Sequence, residues 1–306
     1  RNEMPDTPNF CRSSLLSAIR TPKKVRMTPE SNAVVLKSGR DRSIRNRHPW
    51  VFSGGAKEHP KAPPGAIVEV RTNGGELLAH GFYNPNSRII CRIFSFEMHE
   101  RSFDGSFWVE RIAHAAALRK RFLPPNTNAY RLVHAEGDRI PGFIADVYGD
   151  VVVAQVLTKG TELVLPHLLD GLRAIGFSQV YIKNKEAADR FEKIDVANGW
   201  VGDAAASTDL TIEEHGLQFR VDIEGGQKTG FFIDQRENRR LLGAMCHDAR
   251  VLNAFSYSGG FSVYALEGGA SAVTSVATAT TGRRVECPRG CGCSGGRGGR
   301  EGKALS

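Results

Sequence analysis

Residues 251–276 read VLNAFSYSGGFSVYALEGGASAVTSV, and this stretch decides how the last third of the chain folds. Val251 to Ala254 is a short apolar strand, Ser256, Ser258, Gly259 and Gly260 form a turn of small residues, an apolar helix runs from Phe261, and AVTSV is a second strand. In an open α/β sheet the carboxyl end of the first strand is where a nucleoside ligand sits, because small residues let it approach the backbone and the helix N-terminus offers free amides. The candidate ligand residues are therefore Asn253, Phe255, Ser256, Ser258, Gly259 and Gly260. The turn carries no full GxGxxG, and Ala277 stands where an acid usually ends the second strand to hold ribose hydroxyls. Small residues after a strand are also ordinary turn chemistry, so the stretch alone leaves both readings open.

Working upstream, LTIEEHGLQFRVDIEGGQKTGFFIDQRENRRLL (210–242) is an alternating strand pair followed by a helix. Asp234 is placed to cap that helix, and Gln235 and Arg236 to face a ligand across the sheet. The other reading has these residues knit the helix to the sheet.

Downstream the pattern stops. From Thr281 the chain reads TGRRVECPRGCGCSGGRGGREGKALS, with eight Gly, five Arg and three Cys, and no core can be built from it. We expect residues 277–306 to be an aberrant, frameshift-like tail, with an arginine-glycine RNA-binding tail as the other reading. Cys287, Cys291 and Cys293 match no complete zinc set. Residues 1–31 are expected to be a disordered extension, since patterned sequence starts near Asn32. Met27 is an alternative start, and RSSLLSAIRTPKKVR resembles an organelle transit segment.

The net charge of +8 sits at the ends. Residues 1–57 hold twelve Lys or Arg against four Asp or Glu, while residues 58–276 hold 23 against 27. A polyanion would therefore dock at the front. Cys11, Cys91 and Cys246 stand apart in unrelated contexts, which gives no disulfide framework and points to a reducing compartment. No apolar run reaches the roughly 20 residues of a membrane span, so a cytoplasmic protein without membrane contact is expected. Nothing in the sequence fixes the oligomeric state.

From Ala33 to Phe96, short apolar segments (VVLK, AIVEV, LLAHGFY, RIICRIF) alternate with Gly, Pro and Asn, which predicts a small β-barrel. Between its first strands lies GRDRSIRNRHPWVFSGG, where Arg40, Arg42, Arg45 and Arg47 precede Trp50 and Phe52. Arginines neutralise phosphates and an aromatic stacks on a base, so this loop is the candidate RNA surface. The competing reading puts Trp50 and Phe52 in the core and leaves the arginines solvated. Residues 107–123 predict a helix with Trp108, Ile112, Ala116 and Leu123 along one stripe, ended by Pro124 and Pro125. RLVHAEGDRIPGFIADVYGDVVVAQVL predicts a β-meander, followed by the helix TELVLPHLLDGLRAIG and the strand QVYIKN. Glu136, Asp138, Asp146 and Asp150 lie beside turn residues, so turn hydrogen bonding explains them better than a metal site.

HPWVFSGG (48–55), GFYNPNSRI (81–89), GDRIPGFIADVYGD (137–150), KTGFFIDQRENR (228–239) and VLNAFSYSGGFSVYALEGGA (251–270) together resemble one family over residues 32–276. It is the class I S-adenosylmethionine-dependent methyltransferases that form 5-methylcytosine in bacterial 23S ribosomal RNA. The resemblance implies an α/β multidomain protein: a PUA-like, RNA-binding β-barrel over 32–100, a central α+β domain over 101–205 and an incomplete Rossmann-like methyltransferase domain over 206–276. It implies S-adenosylmethionine near Phe255 to Gly260, with Gln235 and Arg236 nearby, and ribosomal RNA as partner. The family's Asp-Pro-Pro type motif and its catalytic cysteine match nothing here, and none of Cys11, Cys91 and Cys246 lies in such a motif. Cytosine C5 becomes nucleophilic only after a thiolate adds at C6. We therefore expect this chain to hold no catalytic residue, to bind the cofactor weakly or not at all, and to be inactive. A non-catalytic RNA-binding protein and a nucleotide-binding oxidoreductase fragment are the competing readings, the latter disfavoured by the missing dinucleotide fingerprint.

Overall fold

Residues 32–97, 102–184, 192–202 and 207–276 are described by the computed structural model. The expectations about residues 1–31 and 277–306, including Met27 and the three tail cysteines, lie outside the described residues. The chain divides into two compact units, 1–233 and 234–306.

The first unit opens with six strands: β1 (Ala33–Leu36), β2 (Trp50–Phe52), β3 (Ala56–Glu58), β4 (Ile67–Arg71), β5 (Leu77–Tyr83) and β6 (Ile89–Ser95), with a one-turn helix α1 (Arg42–Arg45) after β1. Their order in the sheet is β2-β6-β5-β4-β1-β3, with β1 and β4 parallel and the other pairs antiparallel. The two outermost strands, β2 and β3, are joined only by the turn Ser53–Gly55. Three residues span at most about 10 Å, so the sheet has to curl until its edges meet, giving the barrel that the short apolar runs predict. Its interior is filled by Val34, Leu36, Ile44, Val51, Val68, Val70, Ile90 and Ile93.

The barrel does not end its packing at its own core. Phe82 of β5 and Phe94 of β6 belong to a second core, which is why these two strands read as nearly continuous apolar runs rather than as alternation. Phe82 stacks on Trp108 at 5.4 Å between ring centroids, and Phe94 meets Trp108 edge-on at 5.0 Å. Trp108 is carried by α2 (Gly105–Phe122), which Asp104 caps by accepting from the Ser106 amide at 3.0 Å. The buried stripe is Phe107, Trp108, Ile112 and Ala115. The sequence stripe missed Phe107 and named Ala116, which is only half-buried.

The meander forms as β7 (Ala129–His134), β8 (Phe143–Tyr148) and β9 (Val151–Val156). Helix α3 (Lys159–Ala174), capped by Thr158, then crosses to β10 (Gln179–Ile182), parallel to β9, and β11 (Gly199–Trp200) closes the edge. Gly160 in α3 lies against the barrel, where a Cβ would sit 2.1 Å from Phe82 Cγ.

The hairpin β12 (Asp209–Glu214) and β13 (Leu217–Asp222) packs in a place the sequence did not indicate. Sequence patterning groups it with the last segment, from residue 206, whereas the first unit extends to Ile233. The reason is a set of hydrogen bonds to the segment leading into β7: the Asn128 amide donates to Glu213 O (2.9 Å), Glu213 N to Asn128 Oδ1 (2.7 Å) and His215 N to Thr127 Oγ1 (3.0 Å).

The second unit holds α4 (Arg236–Ala244), β14 (Arg250–Ala254), α5 (Gly260–Glu267) and β15 (Ala272–Val276). β14 and β15 pair in parallel from Arg250↔Ala272 to Ala254↔Val276, joined by α5. Strand, turn, helix and strand thus form where residues 251–276 place them. No helix among the described residues is long and apolar enough to cross a membrane.

Candidate functional site

The turn from β14 into α5 combines strain with open donors. Phe255 and Tyr257 take left-handed backbone conformations (φ 59° and 47°), as does Gly259 (φ 75°). Left-handed φ costs an ordinary residue about 1–2 kcal/mol, and strain of this kind collects at ligand-holding turns. Gly259 is the N-cap of α5 and makes no side-chain cap bond to it. Ser256 N donates to Val276 O at 2.9 Å, tying the turn to the end of β15. Phe255 is 85% exposed, an apolar surface at the mouth of the turn, while Gly259 and Gly260 are buried beneath it and Ser258 is half-buried.

Asn253 behaves differently from the ligand residue the sequence makes of it. Its Nδ2 donates to Ser262 Oγ at 2.8 Å, and Ser262 in turn shares a 2.6 Å bond with Ser275 Oγ. Strand, helix and second strand are locked by this chain of three side chains. Ser262 and Ser275 were not singled out by sequence, because a serine in a helix and one in a strand carry no signal until they meet.

At α4 the N-cap is Gln235, without a side-chain cap bond, so Asp234 is not the cap that the sequence suggests. Gln235 Oε1 accepts from Asn238 Nδ2 at 3.0 Å. Arg236 Nε reaches Glu237 at 3.3 Å, but its Nη1 is buried and has no hydrogen-bond partner among the described residues. An unsatisfied buried donor costs about 1–3 kcal/mol, the kind of vacancy an anionic or carbonyl group on a ligand fills.

In the first unit the basic loop is only partly free. Arg45 donates Nε to Asp41 at 2.8 Å and Nη1 to Glu76 at 2.9 Å. Its bond to Glu76 and then that to Asp41 push its pKa further up, and both carboxyls are held below their usual range by Arg45. Arg45 is thus locally neutralised. Arg40 and Arg42 are exposed and make no salt bridge among the described residues, and Arg47, also exposed, lies over the Phe96 ring at 5.1 Å. Trp50 is half-buried, its Nε1 donating to Glu136 Oε1 at 2.9 Å, so its indole is fixed against the middle domain. Phe52 is the exposed aromatic of the loop.

The carboxylates assigned to turn chemistry do more than that. Asp138 accepts the His134 amide at 2.5 Å, and it also takes a two-pronged bond from Arg119 (2.6 and 2.5 Å). Glu136 holds Trp50 and Arg92, and buried Asp146 pairs with Arg131 at 2.8 Å. These are cross-element ion pairs, a correction to the turn reading for Glu136 and Asp146.

Comparison with known proteins bears on both regions. The family described as "PUA-like domain" matches residues 34–96. The family described as "S-adenosylmethionine-dependent methyltransferase" matches residues 183–297, which runs past Val276. The chain is similar to "Ribosomal RNA large subunit methyltransferase I" of Alteromonas mediterranea, 39% identical over 255 residues, covering 80% of this chain and 62% of that protein. The protein of that name in Cronobacter sakazakii is 38% identical over 248 residues, with the same coverage. The chain therefore spans somewhat under two thirds of the length of these curated relatives. Among solved structures, a methyltransferase complexed with SAH shares the fold over 80% of this chain and 62% of its own, with a TM-score of 0.69 and 23% identity.

Proposed function

We propose that the chain carries the cofactor- and RNA-binding parts of a cytoplasmic S-adenosylmethionine-dependent methyltransferase of large-subunit ribosomal RNA, one whose methyl acceptor is cytosine C5, and that it binds both ligands without turnover. The observation that carries this reading is the strained, uncapped turn at the carboxyl end of β14, inside the stretch that matches the methyltransferase family. Exposed Phe255 offers a face to a purine, the first amides of α5 and the Ser258 hydroxyl offer donors, and Ser256 fixes the turn to β15. The unsatisfied Nη1 of Arg236 is a further donor for the cofactor. Bound there, S-adenosylmethionine would supply the methyl group from its sulfonium. Asn253 acts by holding the turn in shape.

The barrel supplies the RNA contact in this reading, through Arg40, Arg42 and Arg47, with Arg45 engaged by its carboxylates and Trp50 as scaffold. The relatives' name points to large-subunit ribosomal RNA as the partner.

The nucleophile does not come from the described cysteines. Cys91 and Cys246 are both buried, and burial pushes the Cys91 thiol up to about 12. With no available thiolate among the described residues, we expect binding of cofactor and RNA without measurable turnover. This same observation favours the second reading, a non-catalytic RNA-binding role through the barrel. Incubating the purified chain with methyl-labelled S-adenosylmethionine and unmodified large-subunit ribosomal RNA separates them. Retention of both ligands without methyl transfer supports the methyltransferase reading, retention of RNA alone supports the second, label on cytosine overturns the expected lack of turnover, and label on any other base overturns the acceptor assignment as well.

A further inference from the structure

We propose that Arg47 and Arg139 form a phosphodiester subsite at the seam between the barrel and the middle domain, built around Phe96 and occupied by the RNA backbone. It deepens the RNA-binding reading above and rests on it. The two arginines come from different domains and are 92 positions apart, yet their guanidinium carbons lie 5.1 and 6.0 Å from the centre of the one Phe96 ring. They are therefore no more than about 11 Å from each other, close to a Debye length of ~8 Å at physiological ionic strength. Both are exposed, and neither makes a salt bridge among the described residues.

The acids nearest Arg139 in sequence are Glu136 and Asp138, and each is committed elsewhere: Glu136 to Trp50 and Arg92, Asp138 to Arg119. The nearest acid to Arg47 on its own loop, Asp41, is held by Arg45. Two mutually repelling cations are thus left around one aromatic ring, with Glu136, Asp138 and Asp41 committed to other partners. Both residues also take left-handed backbone conformations (φ 63° and 58°), a cost that among the described residues no other arginine meets. An anion bridging them relieves the repulsion, and a guanidinium presents a planar fork that fits phosphate oxygens. A polynucleotide crossing from the barrel onto the middle domain supplies that anion and continues toward Arg40 and Arg42.

The test is the salt dependence of binding to an unmodified large-subunit ribosomal RNA transcript, with the full chain and the variants Arg47→Ala, Arg139→Ala, the double variant, Arg139→Lys and the surface control Arg173→Ala. Each alanine variant is expected to reduce the slope of log K against log salt by roughly 0.7–0.9, and the double variant by about twice that. Arg139→Lys should keep most of the slope and Arg173→Ala all of it. Unchanged slope and affinity in Arg139→Ala, with RNA still bound by the unsubstituted chain, overturns the subsite alone. No RNA binding by the unsubstituted chain overturns both the subsite and the RNA reading on which it rests.

Discussion

Tyr148 and Thr229 share a 2.8 Å hydrogen bond whose direction is fixed by its neighbours. Thr229 spends its single proton on Asp146 Oδ2 at 2.6 Å, because a carboxylate can only accept. Tyr148 must therefore donate to Thr229, and its oxygen accepts the Phe231 amide at 3.1 Å. The first half of the KTGFF segment is thereby pinned to the middle sheet. Thr229→Val keeps the shape and removes the hydroxyl, leaving Asp146 Oδ2 only its bond from Arg131 and Tyr148 only the Phe231 carbonyl at 3.4 Å as acceptor. We expect a loss of about 1–3 kcal/mol in chemical denaturation, and an unchanged midpoint would show the network to be incidental.

Gly160→Ala tests whether barrel and middle domain share a core. The added methyl meets Phe82 Cγ at 2.1 Å, and Phe82 is itself held by its stack on Trp108. Overpacking of this kind costs about 1–3 kcal/mol. The expected result is one cooperative transition at lower denaturant for both domains. Separate transitions, with only one of them shifted, would argue for independent folding.

Burial holds the buried His80 imidazole below its ordinary range, against the opposing pull of Glu69, and its Nδ1 has no hydrogen-bond partner among the described residues. The folded state therefore binds fewer protons than the unfolded chain once pH drops below the unfolded value near ~6.5. Stability should be fully present above that value and fall as pH drops toward the depressed folded value. A His80→Gln variant should lose this component of the pH dependence, and identical pH profiles for the two proteins would contradict the assignment.

Cys91 and Cys246 should resist alkylation in the native state near pH 8 and react once the chain is unfolded, as buried thiols do. Mass spectrometry after iodoacetamide treatment reads this directly. Fast native labelling of either would return it to candidacy as the nucleophile.

Elements with strong local patterning were legible in the sequence: both long helices, the meander, the barrel strands and the strand-turn-helix-strand of 251–276. What escaped it depends on partners brought together by the fold. Arg45 looks like a free cation until Glu76, 31 positions away, closes on it. The backbone partners of the β12–β13 hairpin, Asn128 and Thr127, lie more than 80 positions away and leave no trace in its own pattern. Asn253 looks like a ligand contact until Ser262, itself bonded to Ser275, takes its amide. In each case a polar side chain found a distant partner, and polar side chains carry none of the periodicity that marks a core.

The central claim is that the turn between β14 and α5 holds S-adenosylmethionine. Ultraviolet cross-linking of methyl-labelled S-adenosylmethionine to the chain, followed by trypsin, tests it most directly, because cleavage after Arg250 and Arg283 isolates the turn in one peptide. The account predicts label in residues 251–283, lost when a Gly259→Val substitution forces a branched side chain onto φ 75°. Label confined to another peptide, or the same yield from the Gly259→Val chain, would contradict it.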